Sequence, residues 1–248
     1  MRRLQTAAIP VDPETVARCE KHAEELTGSG FTALSAEDFG DLGTDPALGV
    51  LYRAWDNLPL DEAMPPGATY RRRRFGRLRI DVTGGGLRID PLPHSAFQQP
   101  ADIIPLHGGR ARVFAPIPED TLCAPALHAL VAFDVTLAAA VCGIRAWLVN
   151  LHLIRIMASA GLAGQPTPEG RHRDGHLYVG MHLFGRTACS GGESFVYHDD
   201  TRVASLTMTD PLDSLVVDDH RVTHEVTPIS PLGENGIRDM LLVDLNEA

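Results

Sequence analysis

The chain has 248 residues, 44% hydrophobic and 22% charged, which is enough to bury a core without disulfide or metal staples. Its net charge of −10 disfavours nucleic acid and anionic membrane as main partners. The cysteines Cys19, Cys123, Cys142 and Cys189 are scattered, which excludes CxxC and zinc-knuckle motifs and suits a reducing compartment.

The start, MRRLQTAAIPVDPE, lacks the apolar core of a signal peptide, and no run is expected to span a membrane, so the expected location is cytoplasmic. The helix signal is strong in VDPETVARCEKHAEELTGSG, with Asp12 as N-cap, Pro13 at the first helical position and Gly28 as the stop. Its Lys21 is the only lysine of the chain and lies on a surface helix, which leaves Schiff-base chemistry without a residue to use. SAEDFGDL and DPALGVLYRAWDNL add cap-and-helix signals, with Leu48, Leu51 and Trp55 at helical spacing. Residues 1–65 therefore read as the helical N-terminal part of a single domain, 1–248, and residues 66–248 as its sheet-rich core.

The run YRRRRFGRLRI, with Arg71 to Arg74, Arg77 and Arg79, alternates into Phe75, Leu78 and Ile80. That pattern suits a strand with one solvated face better than a phosphate or nucleic-acid patch. Gly84, Gly85 and Gly86 then predict a hairpin. EDTLCAPALHALVAFDVTLAAAVCG predicts one long helix near 120–142, stopped by Gly143 and packed on a sheet because it is apolar nearly all round. His128 within it reads as a core histidine. From Trp147 on, strands dominate: AWLVNLHLIRIMA, HLYVGMHLFGR, ESFVYHDDTRVASLTM, DSLVVDDHRVTHEVTPI and IRDMLLVDL. Late strands after early helices predict an α+β chain whose sheet is a barrel or sandwich.

The chemistry concentrates in PTPEGRHRDGHLYVGMHLFGR, where His172 and Asp174 stand two apart. With 11 histidines and 32 acidic residues such a triplet arises by chance, and a second, His198-Asp199-Asp200, reads as a hairpin turn. On or entering a strand, residues 172 and 174 project to one face. Two histidines and a carboxylate bind Fe(II) while leaving positions open. A third ligand is sought among His176, His182, His198, His220 and His224. His176 and His182 share the strand of the first pair and aim further along it, whereas His220 and His224 fall on one strand and one face. Arg238, 14 residues beyond His224 and on the next strand, suits the far end of a dicarboxylate.

The set His172-x-Asp174, His224 and Arg238 resembles the Fe(II)/2-oxoglutarate-dependent dioxygenases. PTPEGRHRDG, GGESFVYHDD, THEVTPI and RDMLLVDL are similar to the bacterial L-isoleucine 4-hydroxylase-like branch of free-amino-acid hydroxylases, over about residues 70–245. The resemblance implies a double-stranded β-helix, the cupin-like jelly roll, with helices packed outside it. It implies His172, Asp174 and His224 as iron ligands, Arg238 as the anchor of 2-oxoglutarate, and hydroxylation of a small molecule, a free L-amino acid, with release of succinate and CO2. Many members carry Ser or Thr two residues after that arginine; Met240 stands here, so a helper hydroxyl is sought at Thr223 or Thr227. Asp174 argues against halogenation, because family halogenases have a small residue in place of that carboxylate.

A zwitterionic substrate needs two anchors. The arginines of YRRRR and Arg155 are candidates for its carboxylate and Glu169 for its ammonium, with Tyr178 as a further substrate-binding candidate. His152 and Arg155 point to opposite faces of their strand, and one of them is expected to face the cavity. A homodimer is compatible with this reading. Two rivals stand beside it: a cupin-type dioxygenase without need of 2-oxoglutarate or Arg238, and a non-catalytic metal-binding or sensor protein on the same fold.

Overall fold

The computed structural model describes residues 8–84, 86–99 and 109–248. Gly85 of the expected hairpin and the first seven residues of the chain start lie outside the described residues.

Helix α1 (Pro13–Ser29) starts at Asp12, whose carboxylate accepts the Thr15 N–H at 2.9 Å. It ends at Gly30, with φ 78°, two residues beyond the expected stop. There the chain must enter the left-handed region, which glycine occupies without a side-chain clash. Strand β1 (Phe31–Leu34) follows, so the expected helical N-terminal stretch also supplies a strand. A 3-10 stretch (Ala36–Thr44) and the short helix α2 (Leu48–Tyr52) come next. Then β2 (Arg71–Thr83) pairs with β3 (Gly86–Pro91) as the expected hairpin, and β4 (Ala115–Pro116) runs parallel to β2.

The expected long helix is two, α3 (Glu119–Leu122) and α4 (Pro125–Cys142), because Pro125 opens a new helix at its first position. Gly143 ends α4 with φ 73°. Over 18 residues α4 has a mean hydropathy of 1.7, so contrary to the sequence-based expectation it is long and apolar enough to cross a membrane. Most of its apolar residues, from Ala126 to Ala138, are instead buried in the core with α1 and the main sheet.

The remaining strands are β5 (Ala146–Ser159), β6 (Tyr178–Thr187), β7 (Cys189–Gly191), β8 (Glu193–His198), β9 (Thr201–Thr207), β10 (Ser214–Asp218), β11 (Thr223–Val226), β12 (Ile229–Pro231) and β13 (Asn235–Glu247). The main sheet has eight strands in the order β1-β10-β6-β13-β5-β2-β3, with β4 on β2. A smaller sheet, β11-β8-β9, and the pair β12-β7 complete the set.

Side-chain alternation divides the main sheet into two faces. Leu78, Trp147, Val149, Leu151, Leu241 and Val243 pack with Leu127, Leu130 and Val131 of α4. On the other face Val179, Met181, Leu183, Leu215 and Val217 pack with Val196 of β8. Helices, large sheet and small sheet thus form three layers, the jelly-roll arrangement with its helices outside. The space between the two sheets is where the charged side chains gather.

Candidate metal centre and its cavity

The segment between β5 and β6, residues 160–177, runs beside β12 and β11 like an interrupted strand. Gly164 and Ile229 exchange backbone hydrogen bonds of 3.0 and 2.8 Å, and Thr167 Oγ1 donates to Val226 O at 3.1 Å. His172 and His224 exchange two bonds of 3.0 Å. An opposed pair of this kind sends both side chains to one face, and the two rings lie 4.6 Å apart. His172 therefore sits on an isolated bridge and not on the regular strand, which begins only at Tyr178.

Asp174 follows in a turn whose backbone is held by Asp219. That carboxylate accepts the N–H groups of Asp174, Gly175 and His176 at 3.0, 2.7 and 3.1 Å. One ligand atom each from His172, Asp174 and His224 lies within 4.8 Å of the others, so the three could hold a metal ion.

The His172 Nδ1–H donates to the Gly170 carbonyl at 2.8 Å, which leaves Nε2 for the cluster. That Nε2 is 3.7 Å from Asp174 Oδ1 and 3.6 Å from Glu169 Oε1, and His224 Nε2 is 3.4 Å from Asp174 Oδ2. Burial opposes charge on His172, yet Asp174, Glu169 and the Gly170 carbonyl push its pKa up to about 9. Burial, and then the His172 charge, push His224 down to about 4. Burial works to raise Asp174, but the imidazoles hold it well below the usual carboxylate range. Asp174 Oδ2 and Glu169 Oε2 are buried with no hydrogen-bond partner among the described residues. A divalent cation in place of the His172 proton would meet two nitrogens and one carboxylate, a donor set that fits Fe(II).

The other histidine candidates go elsewhere. His176 Nε2 lies 3.1 Å from Asp244 Oδ2, and His182 faces α4, where Nε2 meets Asp134 Oδ2 at 2.9 Å. His198 Nε2 donates to Ser29 O at 2.7 Å, and His128 donates to Leu122 O at 2.9 Å as a core histidine. His220 is exposed in the turn after β10, not on a strand with His224, because the Asp218 carboxylate accepts its backbone N–H and bends the chain.

The cluster opens on a cavity of about 830 Å³, mouth included. Arg238 reaches it from β13, which pairs with β5 and β6 and not with β11, so the arginine comes from the opposing sheet and not from a neighbouring strand. Its Nε is buried without a partner, and burial pushes its pKa down to about 10, so it stays charged at neutral pH. The nearby acids are engaged elsewhere: Asp239 binds Arg155 with two bonds of 2.7 Å, and Asp244 meets His152 and His176 at 3.1 Å. A Cβ on Gly192 would stand 3.3 Å from Arg238 Cδ and 3.1 Å from Arg186 NH1, and φ is 70° there, so this glycine leaves room for both side chains. Neither Thr223 nor Thr227 lines the cavity, and Thr227 Oγ1 accepts the Glu193 N–H at 2.9 Å; the lining hydroxyl is that of Thr167.

Glu169 lines the cavity, whereas Arg155 and Tyr178 do not. Arg155 is turned to the other face by its pairing with Asp239, and Tyr178 packs 6.5 Å from the Trp147 ring in the helix-side core. On β5 it is His152 that faces the cavity.

Arg71 and Arg73 of YRRRR, expected on a solvated face and also considered as substrate anchors, are not solvated. Arg71 and Arg73 are 5% and 7% exposed and line the cavity, so the alternate face of β2 is an interior and not a solvated one. Arg73 Nε and NH2 donate to His152 Nδ1 at 3.1 and 2.8 Å, which makes that nitrogen unprotonated and leaves Nε2–H to meet Asp244 Oδ2 at 3.1 Å. Burial, and then Arg73, push His152 down to about 4. Phe97, Gln99 and Arg112 complete this wall from a stretch with no periodic pattern that could have marked them.

A family model described as 2OG-Fe dioxygenase matches residues 52–244. L-isoleucine-4-hydroxylase of Bacillus thuringiensis is 28% identical over 142 residues, 55% of this chain, and the match spans only 59% of that protein's length. Among solved structures, a BsmA homologue from Methylobium petroleophilum PM1 is 28% identical with a TM-score of 0.84, covering 97% of this chain and 95% of its own. IDO from Bacillus thuringiensis, 23% identical, shares the fold with a TM-score of 0.75 over 92% of this chain and 95% of its own.

Proposed function

Because the chain belongs to the 2OG-Fe dioxygenase family, whose cofactors are Fe(II) and 2-oxoglutarate, we propose that it hydroxylates a small molecule, a free L-amino acid, with His172, Asp174 and His224 holding the iron and Arg238 the distal carboxylate of 2-oxoglutarate. The observation that carries this reading is one cavity containing both the two-histidine, one-carboxylate cluster and a buried arginine with an unpartnered Nε. Bound Fe(II), with 2-oxoglutarate and O2, supplies the oxidising chemistry, and one oxygen atom enters a substrate C–H bond while the other leaves in succinate beside CO2.

The chain's own residues do the positioning. The Gly170 carbonyl orients His172, and the Asp219 carboxylate holds the backbone on which Asp174 is carried. Arg238 offers a guanidinium fork to a carboxylate. Ile154, Ile156, Met181, Met240 and Leu242 form an apolar lining that keeps water from the reacting carbon. Glu169, with Oε2 buried and unpartnered in the same cavity, is the anchor for a substrate ammonium. The match to L-isoleucine-4-hydroxylase supports an amino acid as substrate.

Anaerobic titration with Fe(II) and 2-oxoglutarate tests the reading through the weak visible charge-transfer band of the chelate. A panel of L-amino acids is then screened for succinate release. Absence of the band from the wild-type protein would sink the assignment. A band-free protein that consumes O2 without succinate would be the cupin-type rival.

A further inference from the structure

We propose that Arg71, Arg73 and Arg112 form a second anion subsite, separate from Arg238, that takes the carboxylate of the molecule to be oxidised. The proposal rests on the assignment of Arg238 and the metal cluster to 2-oxoglutarate.

The argument starts from charge. Guanidinium groups stay protonated in proteins, and a buried charge is costly unless it is paired. Arg71, Arg73 and Arg112 are 5%, 7% and 7% exposed and line the same cavity. Among the described residues a single carboxylate hydrogen-bonds to this trio: Arg71 Nε donates to Asp61 Oδ2 at 2.7 Å. Arg71 NH2 has no partner. Arg73 donates to His152 Nδ1, a neutral acceptor. Arg112 NH2 donates to the amide oxygen of Gln99, also neutral, and its Nε has no partner. Aromatic faces give partial relief, with Arg73 4.3 Å from the Phe114 centroid and Arg112 5.0 Å from that of Phe97. Such contacts leave the wall positively charged and its donors unfilled.

Register then separates this wall from Arg238. Arg238 pairs with Ile156, and Ile156 with Arg71; in the next inward-facing row Met240 pairs with Ile154, and Ile154 with Arg73. Adjacent strands lie about 4.8 Å apart, so the β13 and β2 backbones that carry Arg238 and the Arg71–Arg73 pair run about 10 Å apart across β5, with Ile154 and Ile156 between them. A dicarboxylate with one end on Arg238 and the other on the metal cluster leaves the second wall with three guanidinium groups and Asp61 as its one hydrogen-bonded carboxylate among the described residues. A second carboxylate-bearing ligand meets that need. Held there, its carbon chain lies over the isoleucines, and Glu169 is on hand for an ammonium.

The test uses full-length protein loaded anaerobically with Fe(II) and 2-oxoglutarate. The probes are L-amino acids and their primary carboxamides, and binding is read from perturbation of the charge-transfer band. At least one acid is expected to bind at least about tenfold more tightly than its amide, the scale of a charged hydrogen bond. Arg73→Gln and Arg112→Gln should each remove that acid-over-amide preference while leaving 2-oxoglutarate affinity unchanged, and Arg73→Lys should restore part of it. Two different side chains and a charge-keeping variant guard against simple misfolding, which would also abolish the band. Equal binding of acid and amide overturns the subsite, as does weakened 2-oxoglutarate binding in the arginine variants, or failure of every acid to bind a wild-type protein that shows the band. If the wild type shows no band, the cosubstrate assignment falls first and this subsite falls with it.

Discussion

On β13, Leu241, Val243 and Leu245 face the helices, while Arg238, Met240, Leu242 and Asp244 are turned into the cavity. The two sides treat buried polar groups differently. Toward the helices His182 is engaged at both nitrogens, by Asp134 at 2.9 Å and Ser214 at 2.8 Å. A Cβ on Gly180 would stand 2.8 Å from that Asp134 oxygen, so a glycine makes the room. Asp134 Oδ1, the Trp147 N–H and Arg18 Nε on α1 are the atoms left unpartnered among the described residues of that layer, and none of them faces the cavity. Toward the cavity Glu169, Asp174, His224, Arg71, Arg112 and Arg238 each keep a buried atom without a partner. Orphaned buried polar atoms reduce fold stability, and a ligand that supplies the missing partner recovers it. Substitutions on one side should therefore change stability, and those on the other ligand binding.

The largest expected effects lie in the metal cluster. His172→Ala, Asp174→Ala and His224→Ala should each abolish the Fe(II)–2-oxoglutarate band and reduce succinate release to background, in protein that still unfolds cooperatively. Retention of the band in any of the three would remove that residue from the ligand set. Arg238→Gln comes next. Iron should remain, and 2-oxoglutarate affinity should fall at least about tenfold, because a charged hydrogen bond is lost from a dry site. Titrating the band with cosubstrate separates this outcome from loss of metal.

Neighbouring positions on one strand sharpen the contrast. Leu241→Ala, on the helix side, should cost about 2–5 kcal/mol of stability in denaturant melts, with the band intact. Met240→Ala, one residue away and lining the cavity, should cost less, because its site is already open on one side, and should alter which substrates are accepted. An equal stability loss at both positions would mean the cavity face is packed as tightly as the core.

Much of this was legible in the chain. Asp12, Pro13 and the alternation of the late strands carry local signals strong enough to survive tertiary context. The His172-x-Asp174 pair and His224 could be nominated, but their convergence depends on a backbone bridge between segments about 50 residues apart, which local pattern does not encode. The solvated-face expectation for Arg71 and Arg73 fails for a physical reason. Alternation shows that a strand has two faces, and a charged face defaults to solvent; here it looks into a cavity because β11 and the segment before β6 cover it. Arg112 and Gln99 sit in irregular chain, where no periodicity exists to read.

Stability should depend on pH through the same polar wall. His152 is held down to about 4, so below pH 6.5 the unfolded chain takes a proton that the folded one refuses. Stability then drains as pH falls from 6.5 toward 4, by about 3–4 kcal/mol at most at about 1.4 kcal/mol per unit. Burial opposes charge on His176, but Asp244, Asp174 and Asn246 push it up to about 9. Its contribution is complete below pH 6.5 and is lost as pH rises through 9. The metal-free protein should melt highest near pH 6.5, and a melting temperature still climbing above that pH would contradict the assignment of His176 to Asp244.

The smallest effect is expected at the second triplet. His198-Asp199-Asp200 has the same residue types as the proposed ligand pair, but its geometry belongs to a turn: Asp199 has φ 47°, Asp200 binds Arg171 at 2.9 Å, and His198 donates to the last turn of α1. His198→Ala removes one half-buried hydrogen bond between β8 and α1, a loss of about 0.5–1.5 kcal/mol. Iron binding, 2-oxoglutarate affinity and succinate release should all stay at wild-type levels, since no atom of His198 lines the cavity. Loss of the band in His198→Ala, with the band kept in His172→Ala, would move the metal out of the cavity to the α1 side of β8 and separate it from Arg238. A residue's type alone does not make it a ligand here; what distinguishes His172 is the paired backbone bridge that turns it toward His224.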